Sequence, residues 1–333
     1  MRYIMIGAGA IGGSVGGRLA EAGHEVVLVA RGAHHEALRD RGLTLITPDG
    51  TRTHRPPVVQ NPADLGELRA DDVLVLAVKT QDAEAALDAW ATRPVAGGTT
   101  AAESLPLVCA QNGVESERMA LRRFRHVYGM CVFLPATYVE PGTVSAAGAP
   151  RTGMLHIGRY PAGVDDTARR IAADLESAKL LAPVVADVMR WKYGKLLGNL
   201  ANAVDALTGP VTEEDALVLV RRARAEGEAV LAAAGIAAVG EQEQRETRGD
   251  RVTLEPLPGV PRGGGSSWQS LSRGTGTIEA DYLNGEIVLL GRLHGVPTPV
   301  NDVLRRLANE FARERREAGS MAVAELVALV EKG

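Results

Sequence analysis

Tyr3-Ile4-Met5-Ile6-Gly7-Ala8-Gly9-Ala10-Ile11-Gly12 is the stretch that decides how this chain is read. Four apolar residues in a row suit a short strand buried on both faces, and they run straight into glycines at the first, third and sixth places of a turn. Each glycine has its own reason. Gly7 permits the tight passage from strand to helix, Gly9 lets the backbone approach a pyrophosphate with no Cβ in the way, and Gly12 lets the following helix pack close to the sheet. The first turn of that helix, with Ala10 and Ile11, offers unpaired N–H groups to an anion. A strand before and a helix after are the context in which this spacing marks a dinucleotide site.

Working outward, the second apolar run, residues 25–30, ends at Arg31, where an enzyme selective for NAD would carry Asp or Glu for the ribose 2′-hydroxyl. No carboxylate stands there. A guanidinium can instead make a forked, charge-assisted contact with a 2′-phosphate, which favours NADPH, although a solvated loop arginine would look the same from the strand end.

The alternation continues. Residues 73–77, 105–110 and 127–133 read as strands, and 81–91 and 115–124 as helices, the βαβ pattern of a parallel sheet covered on both faces. This is an α/β Rossmann domain, doubly wound. After Ile157-Gly158 the chain turns to alanine- and leucine-rich helical stretches, so the reading sets a Rossmann domain at 1–175 and an all-α substrate and catalytic domain at 176–333. Residues 255–265, rich in proline and glycine, interrupt the helices as a loop, and residues 301–318 and 321–330 form the last helical stretches.

Composition limits the partners. With 333 residues, 45% of them hydrophobic, two cores fit, and a net charge of −4 without a long basic run argues against nucleic acid or an anionic membrane. Cys109 and Cys131 lie in strand-like stretches and are expected to be buried, reduced thiols, which with the short N-terminal apolar run leads to a cytoplasmic, soluble expectation. None of the seven histidines has metal-ligand spacing, so no metal is expected, and His34-His35 reads as a solvated pair.

The chemistry gathers in the second half. Within Trp191-Lys-Tyr-Gly-Lys195-Leu-Leu-Gly-Asn199-Leu-Ala-Asn202, helical spacing puts Lys195, Asn199 and Asn202 on one face, with Leu196, Leu197, Leu200 and Ala203 buried opposite. A lysine ammonium beside a carbonyl stabilises the alkoxide that develops as hydride arrives and can supply its proton, while the amides orient substrate oxygens. A polar surface stripe is the plainer alternative. Further on, Ser267 and Glu279 flank another helical run, where a carboxylate could hold a lysine charged or, as plainly, belong to an exposed acidic face.

Taken together, the glycine turn, Val78-Lys79-Thr80-Gln81, Gln111-Asn112-Gly113, Lys195 with Asn199, Ser266-Ser267, Ile278-Glu279-Ala280-Asp281 and Gly295-Val-Pro-Thr-Pro-Val-Asn301 resemble the ketopantoate reductase family, nearly end to end and in consistent order. The resemblance implies NADPH-dependent reduction of 2-dehydropantoate to pantoate in pantothenate biosynthesis, by a chain that is mildly expected to dimerise. It implies Lys195 as general acid, Glu279 as its partner and a substrate ligand, and Ser267 and Asn199 as substrate holders. Lys79 and Asn112 would lie at the nicotinamide and substrate end of the cofactor cleft. The chain departs from the family pattern at Ala203, where a second asparagine is usual and Asn202 stands one place early, and at Gly264, another usual asparagine. A related NADP-dependent dehydrogenase for a different oxo or hydroxy acid is therefore the alternative expectation.

Overall fold

A computed structural model describes residues 1–260 and 264–332. The chain divides into two compact units, Met1–Trp191 with Glu241–Pro261, and Lys192–Gly240 with Arg262–Gly333. A cut at 175/176 would fall inside the helix Asp166–Ser177, so the chain divides later and the first unit takes back a segment from the second half. That segment corrects the all-helical reading of the second half: Val252–Leu254 pairs antiparallel with Gly148–Pro150. Three residues are too few for a period-2 signal to register. The same segment is tied down by a fork from Arg190 to Glu243 at 2.5 and 2.8 Å and by Arg248 lying over the Phe133 ring at 4.6 Å. The rest of the expected 255–265 loop lacks helix or strand in its described part, and residues 261–263 lie outside the described residues.

The first unit is built on a seven-stranded sheet in the order Met154–Arg159, His126–Phe133, Pro106–Cys109, Asp72–Leu76, Arg2–Ile6, Glu25–Val29, Val58–Val59. Every neighbouring pair is parallel except Met154–Arg159, which closes one edge antiparallel to His126–Phe133. The central strands are continuous apolar runs because helices or a second sheet cover both faces. The second sheet has four strands, Ala136–Glu140, Thr143–Ala146, Leu43–Thr47 and Gly50–His54 in that order.

Helix Ala10–Glu21 runs between the two sheets, and its glycines make room on both sides. A Cβ at Gly16 would stand 3.0 Å from Met5 and 3.1 Å from Leu28 of the large sheet, whereas one at Gly17 would stand 3.1 Å from Leu45 of the small one. Cys109 and Cys131 are buried, and no disulfide joins them, as expected. The solvated His34-His35 pair is not found: His35 is buried and His34 half-buried, because their helix, Gly32–Arg41, packs inward. No helix among the described residues is long and apolar enough to cross a membrane.

Helix Val188–Asn199 carries the chain out of the first unit. At its start Trp191 stacks on His156 with ring centroids 3.7 Å apart, and burial pushes the His156 imidazole down to about 4. In the second unit every regular element among the described residues is helical: Ala201–Thr208, Glu214–Ala233, Ser266–Ser272, Asn284–His294, Pro299–Glu314 and Val323–Lys332, with a 3-10 turn at Glu279–Tyr282.

A buried polar network ties this unit together. The Glu226 carboxylate accepts the N–H groups of Val300 and Asn301 at 2.9 and 3.0 Å, capping the N-terminus of Pro299–Glu314, and also the Asn301 side-chain amide at 2.7 Å. Asn301 Oδ1 in turn accepts from Asn284 Nδ2 at 3.0 Å, and the same Nδ2 reaches the Leu200 carbonyl at 3.2 Å, at the break between two helices. Replacing Glu226 with Ala strips three donors of a charged acceptor, and the expected loss is about 3 kcal/mol. Urea unfolding of the full chain measures it, and a change below about 1 kcal/mol would mean that the carboxylate is dispensable.

Candidate active site

Strand Arg2–Ile6 lies between Glu25–Val29 on one side and Asp72–Leu76 on the other, so successive crossovers leave it in opposite directions. That reversal opens a crevice at the carboxyl ends of the strands, where open α/β sheets bind ligands. The glycine turn sits at this point. Gly7 and Ala8 both donate to the Val29 carbonyl, at 3.2 and 3.0 Å, and Gly7 has a φ of +100° that a side chain would strain.

The other two glycines differ sharply. A Cβ on Gly12 would fall 2.0 Å from the Gly7 carbonyl oxygen, whereas one on Gly9 would meet nothing within 4 Å. Gly12 is therefore demanded by the protein's own packing and Gly9 is not. The helix that follows has no side-chain cap and no acidic residue in its first turn, and the Gly13 N–H bonds the Gly9 carbonyl at 2.7 Å. The amides of Ala10, Ile11 and Gly12 precede that bond and are the uncapped donors of the helix.

Around the turn stand the other residues picked out by sequence. Arg31 follows strand Glu25–Val29, caps helix Gly32–Arg41 through its backbone, is exposed, and has no ion pair among the described residues. Lys79 precedes the 3-10 turn Thr80–Asp82 after Asp72–Leu76, and Asn112 follows Pro106–Cys109 beside Gly113 with φ +74°. Both are half-buried and engaged in polar or electrostatic interactions. The first unit thus gathers the glycine turn, Arg31, Lys79 and Asn112 at the same ends of four neighbouring strands, a setting fit for a dinucleotide with an extra phosphate.

In the second unit, Lys195 and Asn199 lie on Val188–Asn199, one helical turn apart. Leu196, Leu197, Leu200 and Ala203 are buried as expected. Asn202 belongs to the next helix, past the break at Leu200, so the three-residue stripe is carried by two helices. The Asn199 Nδ2 is buried without a hydrogen-bond partner among the described residues. Asn202 instead lies against the segment before Ser267: a Cβ on Gly265 would be 3.0 Å from its Oδ1.

Ser267 is buried in the first turn of Ser266–Ser272, which packs on Ala201–Thr208. Glu279 is buried at the start of its 3-10 turn, and Asp281, exposed in the same turn, accepts from Arg305 at 3.1 Å and Asn309 at 2.9 Å. Lys195 and Glu279 each take part in a polar or electrostatic interaction.

Three features escaped the sequence reading. One is Asp205, whose Oδ2 accepts the Gly265 N–H at 2.8 Å and would stand 2.7 Å from a Cβ on Gly264. Its place three residues after Asn202 on a helix was the available signal. Another is the Glu226-Asn301-Asn284 network, which joins positions far apart in sequence. The third is His34, whose Nε2 bonds the Ala8 carbonyl in the glycine turn at 2.8 Å.

A crevice at the switch point of a doubly wound sheet, beside a second unit that is helical and bears a lysine, amides and a buried carboxylate, is the architecture of a nucleotide-dependent oxidoreductase. Comparison with known proteins agrees. The sequence model for "Ketopantoate reductase PanE/ApbA" matches residues 3–162, and that for its C-terminal part matches residues 187–312. The 2-dehydropantoate 2-reductase of Mesorhizobium japonicum is 32% identical over 95% of this chain and 99% of its own. A ketopantoate reductase structure from Ralstonia eutropha has a TM-score of 0.78 at 27% identity, covering 95% of this chain and all of the other (100%). D-mandelate dehydrogenase, solved with NADH and anilino(oxo)acetate, has a TM-score of 0.79 at 21% identity over 95% of this chain and 99% of its own, a likeness of fold. The chain belongs to the ketopantoate reductase family and is an oxidoreductase.

The contrast between Gly9 and Gly12 gives a test. Gly9 has a φ of −70°, which alanine adopts freely, so Gly9→Ala should unfold at the same temperature as the parent yet bind NADPH at least tenfold more weakly in a fluorescence titration. Equal affinity would remove Gly9 from the cofactor surface.

Proposed function

We propose that this protein reduces a 2-oxo acid with NADPH, 2-dehydropantoate to pantoate being the reaction favoured most. The observation that carries the reading is the pairing of family membership with Arg31, an exposed guanidinium at the strand end where an NAD enzyme would hold a carboxylate. When bound, the reduced nicotinamide supplies a hydride. The uncapped amides of Ala10, Ile11 and Gly12, with the open face of Gly9, would hold the pyrophosphate, and Arg31 the 2′-phosphate. Lys79 and Asn112 would border the nicotinamide end.

In this reading Lys195 Nζ, as an ammonium, stabilises negative charge developing on the substrate's 2-oxo oxygen and gives that oxygen a proton. The carbonyl gains one hydride at carbon and one proton at oxygen, so the product is the 2-hydroxy acid. Glu279, buried in the 3-10 turn where Asp281 pairs with Arg305, would keep Lys195 charged and accept a hydrogen bond from the product hydroxyl. Ser267 and the amides of Asn199 and Asn202 would orient the substrate's oxygens. The chain is proposed to act in the cytoplasm, as a homodimer, with no nucleic acid, membrane or metal as partner.

A second reading keeps the chemistry and changes the acid. Ala203 is buried and the space beside Gly264 is taken by Asp205 and the Trp268 side chain, both 2.7 Å from where a Cβ would be. Such a surface differs from one lined with two asparagines and supports an enzyme for a different oxo or hydroxy acid.

Steady-state NADPH oxidation with 2-dehydropantoate beside a panel of other 2-oxo acids separates the two readings through kcat/KM. Lys195→Ala should lower kcat on the preferred substrate by on the order of 10³-fold while NADPH affinity holds. Undiminished turnover in that variant would end the lysine assignment. Arg31→Asp should move the preference toward NADH by tenfold or more, and an unchanged NADPH to NADH ratio would deny Arg31 its role.

A further inference from the structure

His34 takes hold of the glycine turn from outside it. Its Nε2 lies 2.8 Å from the Ala8 carbonyl oxygen, and its Nδ1 lies 3.0 Å from the backbone N–H of Gly142. A carbonyl can only accept and a backbone N–H can only donate, so both contacts demand one form of the ring: neutral, with the proton on Nε2. Burial favours that form by lowering the His34 pKa, and the Tyr138 ring meets the imidazole edge-on at 5.0 Å. The ring is therefore fixed in tautomer and in orientation by elements on opposite sides of it.

The consequence lies one atom further along the chain. The Ala8 carbonyl and the Gly9 N–H belong to one peptide plane, and the only cis peptides among the described residues precede Pro150 and Pro161. In a trans peptide the C=O and the N–H point in opposite directions. A carbonyl held toward His34 leaves the Gly9 N–H aimed the other way. Were this peptide to flip, a carbonyl oxygen would point where the N–H now does, and an anion there would be repelled.

We propose that His34 is a positioning residue for the dinucleotide, which holds the Ala8–Gly9 peptide so that the Gly9 N–H is presented to the pyrophosphate. This rests on the reading that the glycine turn binds NADPH. His34 touches neither hydride nor substrate in this account, so it acts on cofactor affinity and not on the chemical step.

The test uses the full-length protein. Titrated by fluorescence, His34→Phe should bind NADPH about tenfold more weakly, the worth of one charge-assisted hydrogen bond. His34→Gln, whose amide can donate to the same carbonyl, should stay within about threefold of the parent. Adenosine 2′-monophosphate, which has the phosphate that Arg31 would hold and no pyrophosphate, should bind all three proteins alike. Turnover at saturating NADPH should also be the same.

A His34→Phe protein that binds NADPH as the parent does would overturn the proposal, as would equal losses for Phe and Gln or an equal loss of adenosine 2′-monophosphate. Should the Phe variant not fold, the comparison of His34→Met with His34→Gln decides by the same criteria. A parent protein that bound neither NADPH nor NADH would instead strike down the cofactor reading itself, before any variant was compared.

Discussion

The whole first unit depends on how closely one helix can come to the strand before it. Gly12 and Gly7 approach so tightly that a single Cβ on Gly12 would lie 2.0 Å from a carbonyl oxygen. Because no Cβ is there, the helix N-terminus sits directly over the end of strand Arg2–Ile6, and its uncapped amides face the crevice where the sheet reverses direction. The same helix carries Gly16 and Gly17 toward two different sheets, so one element locks the large sheet, the small sheet and the glycine turn into a single arrangement. Displacing that helix would disturb the small sheet and, through it, Gly142 and His34. Affinity for an anion at this turn would thus be built from backbone geometry, with side chains acting mainly to hold it.

The second unit reaches a similar end by different means. The chemistry proposed for it rests on side chains, and those must be aimed by packing and hydrogen bonds. The break between Val188–Asn199 and Ala201–Thr208 falls at Leu200, and the Leu200 carbonyl is met by Asn284, itself held through Asn301 by Glu226. A charged carboxylate that also caps a helix is a firm anchor for such a chain of bonds, since each link leaves a buried donor unsatisfied if the next is removed. The end of the helix bearing Lys195 and Asn199 is therefore set by Asn284, Asn301 and Glu226, all well outside it in sequence.

This difference explains what could be read from the sequence. The glycine turn was legible because steric demands act over neighbouring residues, and one spacing of three glycines encodes turn, approach and packing together. The strands of the large sheet were legible as apolar runs. The second sheet was not, because Gly50–His54 is nearly all exposed and polar and shows no apolar alternation. Nor were the pairs Gly12-Gly13 and Gly16-Gly17 read as a helix pressed from two sides, though glycine pairs four apart in an otherwise sound helix call for such a reason. His34 was misread as solvated because the group that it bonds, a backbone carbonyl, leaves no trace in the local sequence. The loop strand Val252–Leu254 returned to the first unit for the same reason: its partner lies a hundred residues earlier.

The substrate side follows from the same logic. Gly264 and Gly265 lie against Asp205 and Asn202, and the Asp205 carboxylate accepts the Gly265 N–H. An asparagine at 264 could be accommodated only if that carboxylate moved and gave up its backbone donor. Gly264 and Asp205 are thus a matched pair, and a change at one is felt at the other. The pair also fixes the approach to Ser267, two residues after Gly265, whose own helix packs on the helix of Asp205. In the proposed reaction, discrimination among 2-oxo acids, which differ from one another only beyond the carbonyl, would fall to Asn202, Asp205 and the Gly264–Ser267 segment, while Lys195 would serve the carbonyl that all of them share.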